Sequence, residues 1–173
     1  LNLLGIVCLE SGRADKAAAL SARALAKDPH DAEPHANLAL ALRALGRLEE
    51  AAASLQASLA INPGNPVALN NLGNILAELH RPDEAIVCFR AALRLDDRHM
   101  DALVNLSSAL LAQGQTDGAL AAAAHAVQVD GRAAAAHNAL GDALLKQARH
   151  EAAAECFEAA LARDASHLDA RIG

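Results

Sequence analysis

The sequence predicts an all-α array of about five helix-turn-helix units. Three observations carry that prediction. The chain realigns with itself when shifted by 34 residues, with no insertion or deletion. Large–small pairs fall on one register at Leu4-Gly5, Leu38-Ala39, Leu72-Gly73, Leu106-Ser107 and Leu140-Gly141. Alanine returns on a second register at Ala17, Ala51, Ala85, Ala119 and Ala153. Two residues before each alanine stands a carboxylate (Asp15, Glu49, Asp83, Asp117, Glu151), where it favours the positive end of a helix.

The first unit, residues 1–29, is truncated: Leu1 to Ser11 reads as a helix lacking its opening turn, Gly12-Arg13 as the turn, Ala14 to Lys27 as the second helix. Asp28-Pro29-His30-Asp31 breaks the pattern, with Asp31 as N-cap. The second unit, 30–63, places helices at Ala32 to Leu45 and Leu48 to Ile61 around Gly46-Arg47. Asn62-Pro63-Gly64-Asn65 ends it, and Asn65 caps the third unit, 64–97. There Pro66 and Pro82 open the two helices, where a missing N–H is no loss. The fourth unit, 98–131, spans Met100 to Gln113 and Thr116 to Val129; the fifth, 132–165, spans Ala133 to Gln147 and His150 to Arg163. Residues 166–173 read as the start of a further helix, so the chain is expected to be a segment of something longer. The later units are expected to be weaker, since alanine runs bury little area and Gly118 costs about 1 kcal/mol inside a helix.

A hydrophobic content of 53% with 1% aromatic means a core of Leu, Ala and Val. Small side chains let helix axes approach closely. The net charge of -6, with no basic stripe, argues against nucleic acid. No run approaches the roughly 18 apolar residues of a membrane span, so no membrane insertion is expected and the cytoplasm is the expected location. Cys8, Cys88 and Cys156 form no disulfide framework; Cys88 and Cys156 are expected to be small core residues. Eight histidines show no i, i+4 pair, and no Cys-x-x-Cys, phosphate loop or nucleophile elbow occurs. No cofactor, metal site or catalysis is expected. His35 and His137 hold a position suited to a large core aromatic and are expected to pack there.

In the third unit Leu69, Leu72-Gly73, Leu76, Ala85, Phe89 and Ala92 stand at the spacing of the tetratricopeptide repeat (TPR), with Leu replacing its aromatics and Asp97 its Pro. The chain resembles that family over essentially its whole length. The resemblance implies a right-handed α-solenoid whose first helices line a concave groove for an extended peptide or a partner helix. Numbering each unit so that Leu72 and its equivalents are position seven, positions four, seven, eight and eleven gather inward. Positions two, five, six, nine, twelve and thirteen gather on the opposite, groove side. The candidate groove residues are Asn37, Arg43, Asn70, Asn71, Asn74, Asn105, Ser108, Asn138, Asp142 and Lys146. Leu40, Val67, Val104, Leu111 and Leu145 would add apolar contact.

The asparagines are informative, because asparagine has no intrinsic reason to return mid-helix. Asn37, Asn71 and Asn105 recur at position six; Asn2, Asn70 and Asn138 occur at position five. An amide that both donates and accepts suits an extended peptide backbone, or equally a bond that fixes the next repeat, or it is inherited from duplication. The series looks like the TPR arm of peptide O-GlcNAc transferases, although it lapses at Leu3 and Ala139 and no catalytic domain lies in these residues. TPR domains that clamp acidic chaperone tails need several groove cations; here only Arg43 and Lys146 are basic, repeats apart. A protein-interaction scaffold is therefore expected, with a recognition arm of a larger enzyme or a self-assembling array as alternatives.

Overall fold

The computed structural model describes residues 7–8 and 11–172, with side chains through Arg163. The expectations for Leu1–Ile6 and Leu9–Glu10, including Asn2 and Leu3, lie outside them. Among the described residues every regular element is helical. Val7 and Cys8 are helical, and nine helices follow: α1 (Ala14–Leu25), α2 (Ala32–Ala44), α3 (Leu48–Ile61), α4 (Pro66–Glu78), α5 (Pro82–Leu95), α6 (Met100–Ala112), α7 (Thr116–Val129), α8 (Ala134–Lys146) and α9 (His150–Ile172). They fall into two compact units, Leu1–Leu95 and Asp96–Gly173. In the first, α2 pairs with α3 and α4 with α5, while α1 packs on α2 and α3 on α4. In the second, α6 pairs with α7 and α8 with α9, and α8 also packs on α6 and α7.

Each hairpin turn is closed the same way. The residue after the C-cap sits in the left-handed region: Gly12, Gly46 and Gly114 at φ 71°, 75° and 71°, His80 at 58° and Ala148 at 57°. The next N–H then reaches back five residues, as from Arg47 to the Leu42 carbonyl (2.9 Å), satisfying a carbonyl the helix leaves open. Entry to the first helices is set by side chains. Asp31 accepts from the Glu33 N–H (3.1 Å) and Asn65 from the Ala68 N–H (3.1 Å), as expected. His99 caps α6 through Nδ1, which accepts from the Ala102 N–H (3.4 Å).

The core follows the 34-residue register. Ala17, Ala51, Ala85, Ala119 and Ala153 are all buried, as are Leu42, Leu76, Leu110 and Leu144 at position eleven. Phe89 is 1% exposed, and its ring fills the space left by Gly73 across the α4–α5 hairpin. Two hydroxyls tie hairpins internally: Ser58 donates to the Ala32 carbonyl (2.8 Å) and Ser107 to the Ala119 carbonyl (3.0 Å).

Three expectations need correction. No new helix starts at 166: α9 runs unbroken to Ile172. After α1, α3, α5 and α7 the loop is instead set by Asp28, Asn62, Asp96 and Asp130, each accepting the N–H two residues on, with a further hairpin following it in the chain. Cys88 and Cys156 are half-buried rather than core. Burial, and then the neighbouring Glu84 and Glu155, push their thiols up, so both stay protonated to higher pH than a free thiol. His35 and His137 are half-buried too. Each donates from Nε2 to a loop carbonyl six residues earlier, Pro29 (3.3 Å) and Gly131 (3.0 Å), so they close the loops between hairpins.

His80 occupies a conformation that costs an L-residue roughly 1–2 kcal/mol. His80→Gly is expected to raise stability by about 1 kcal/mol on denaturant titration. A loss of stability would show that the His80 side chain makes a compensating contact.

Candidate functional site

The groove-side positions lie on α2 and α4 in the first unit and on α6 and α8 in the second. Their placement follows from helix periodicity: Val67, Asn70, Asn71, Asn74 and Glu78 fall within about 60° of one direction on α4. The inward face of the same helix buries Ala68, Leu72, Gly73, Ile75 and Leu76.

The asparagines divide by depth. Asn37 is 8% exposed, and its Nδ2 is buried with no partner. Asn70 is 4% exposed and engaged by its surroundings. Asn71, Asn74 and Asn105 are half-buried, Asn105 also being engaged, and Asn138 is exposed. Position five is thus buried on α4 and exposed on α8, so the series does not form one equivalent row.

Arg43 is not a free cation. Its Nε donates to Glu78 Oε1 (2.8 Å) and its Nη2 donates to the same oxygen, joining α2 to α4. The two residues are one repeat plus one position apart, a spacing of 35 that the register could have revealed. Ser108 turns its hydroxyl back onto the Val104 carbonyl (3.1 Å). Asp142 and Lys146 are exposed on α8.

Apolar surface accompanies these polar groups. Val67 is 55% exposed on α4, and Leu40 is half-buried on α2. In the second unit, Leu145 is exposed on α8, and Val104 and Leu111 are half-buried on α6. On the second helices, Arg47 and Arg81 donate bidentately to Glu50 and Glu84 (2.6–2.7 Å), and these hydrogen bonds hold the two carboxyls below their ordinary range. Among the described residues no group of three His, Cys, Asp or Glu side chains gathers as a metal site, and no helix is long and apolar enough to cross a membrane.

The depth difference has a measurable consequence. Asn70→Ala is expected to cost about 1–3 kcal/mol and Asn71→Ala no more than about 0.5 kcal/mol in chemical denaturation. Equal losses would show that both amides serve packing.

Tetratricopeptide-repeat profiles match residues 2–66 and 105–167, and another matches 66–99. No curated protein matches the chain in sequence. Solved structures share its fold at low identity. PilF of Pseudomonas aeruginosa superposes with a TM-score of 0.86 at 22% identity, over 94% of this chain and 74% of that one. MamA of Desulfovibrio magneticus RS-1 gives 0.83 at 22%, over 94% and 92%. YrrB, described as a TPR protein with an unusual peptide-binding site, gives 0.75 at 21%, over 95% and 84%. The chain belongs to the tetratricopeptide repeat family.

Proposed function

We propose that this chain is a protein-interaction scaffold that takes an extended peptide or a partner helix on the first-helix faces of its repeats. The observation that carries the reading is the α4 face, where the reachable amides of Asn71 and Asn74 share one surface with exposed Val67. Amides that donate and accept pair with a peptide main chain, and the valine offers an apolar contact to its side chains. Arg43 is taken up by Glu78, and neither α2 nor α4 carries a second Lys or Arg. Such a face favours a neutral backbone over an acidic tail. The likeness to YrrB, a TPR protein with a peptide-binding site of its own, is in keeping with this reading.

Asn37 and Asn70 take a different part. Being buried, they position α2 and α4, and the contacts fall to Asn71 and Asn74 and, in the second unit, to Asn138, Ser108, Asp142 and Lys146. A narrower reading makes the chain the recognition arm of a larger enzyme such as a peptide O-GlcNAc transferase. The accessible pair in Asn71-Leu72-Gly73-Asn74 supports it; the burial of Asn37 and Asn70 interrupts the ladder it requires.

A peptide selected against the chain from a random display library provides the test. Asn71→Ala with Asn74→Ala is expected to weaken its binding at least about tenfold in fluorescence anisotropy. Unchanged affinity in the folded double variant would place peptide capture on another surface.

A further inference from the structure

Two second helices carry faces of opposite charge, with cations at i and i+7 on one and carboxylates at i, i+4 and i+7 on the other. On α1, Lys16, Leu20 and Arg23 recur at i, i+4 and i+7 and share one face. With Cys8, Arg13 and Ala19 they line an open pocket of about 390 Å³. Its floor is apolar, from buried Cys8 and half-buried Leu20, and its rim carries the three cations. Arg13 donates to the Ser11 hydroxyl (3.1 Å), and none of the three is in an ion pair among the described residues. On α9, Glu151, Glu155 and Glu158 recur at i, i+4 and i+7, all exposed. Leu161, 69% exposed, follows one turn further along. Residues 96–173 carry eleven carboxylates against six Lys and Arg, whereas residues 1–95 are nearly balanced at ten against nine.

We propose that a second copy of this chain docks its α9 face on the α1 face. Glu151 and Glu158, seven residues apart, meet Lys16 and Arg23, also seven apart, and Leu161 turns toward the pocket floor. The two surfaces differ, so the contact is heterologous, and it either closes into a ring or repeats from copy to copy. Charge sets its register and rate of formation, so salt weakens it. Both stripes lie on second helices, away from the first-helix faces proposed for peptide capture, so either reading can fail alone.

Sedimentation velocity on the whole chain tests it. At about 0.05 M salt the mass is expected to grow above the monomer with concentration, and at about 0.5 M to fall back toward the monomer. Lys16→Glu with Arg23→Glu, and separately Glu151→Lys with Glu158→Lys, each present two like-charged faces and are expected to associate at least about tenfold more weakly. Mixing the two variants restores opposite faces and is expected to restore association. Circular dichroism checks the fold, and the milder Lys16→Gln with Arg23→Gln replaces a reversal that unfolds. A chain that stays monomeric at low salt overturns the proposal and leaves the pocket to an acidic segment of another protein. Association that persists in either folded reversal, or that mixing fails to restore, overturns it as well.

Discussion

At Gly73 an added Cβ would stand 2.5 Å from Cε1 of Phe89, and at Gly141 it would stand 2.6 Å from Cε1 of Phe157. No real Cβ sits that close to a ring, so each phenylalanine occupies the volume that its glycine leaves empty. The same two register positions hold Ala39 with Leu55, both fully buried, and Ser107 with Ala123, both fully buried. Gly thus stands with Phe in two hairpins and Ala with Leu in a third, whereas Ser107 stands with another small residue, Ala123, as Gly5 does with Ser21 in the sequence. In the α2–α3 and α4–α5 hairpins the smaller residue faces the larger one, and the contact is filled with almost no aromatic residues in the chain. The inward leucines reach their partners, and the outward positions of α2 and α4 are held close enough for Arg43 to reach Glu78.

Turns and loops carry the register from one hairpin to the next. The left-handed residue recurs at Gly12, Gly46, His80, Gly114 and Ala148, 34 residues apart, and the 5-residue return hydrogen bond recurs with it. His80 and Ala148 adopt the conformation without glycine's freedom, which shows that the hairpin imposes the turn rather than the reverse. Between hairpins, His35 and His137 do equivalent work at equivalent positions by tying down the loop that leads into their own helices. A capping Asp31, Asn65 or His99 then fixes where the next first helix begins.

The fold was legible in the sequence because it is periodic: one register of Leu and Ala places every hairpin, and the predicted α3 and α7 match the observed bounds residue for residue. The candidate site was legible only as a face. Asn70 and Asn71 stand about 100° apart on either side of the outward direction of α4, and the period alone does not say which side neighbouring elements cover. The Arg43–Glu78 pair was missed because it crosses repeats, and charge was weighed one helix at a time. The cysteines were misplaced for a related reason. They share their position with half-buried Ser54, a residue whose polarity already marks that position as half solvent-facing. The 34-residue period places a break near residue 164 that α9 does not make.

The reciprocal packing of the hairpins is tested most directly by a double-mutant cycle at Gly73 and Phe89, read by denaturant unfolding. Gly73→Ala alone is expected to cost about 1–3 kcal/mol, because the buried ring has nowhere to go. Gly73→Ala with Phe89→Leu recreates the pair found at Ala39 and Leu55, and its loss is expected to fall short of the sum of the singles by more than about 1 kcal/mol. Losses that add to within about 0.5 kcal/mol would contradict the account, since the two positions would then not share one volume.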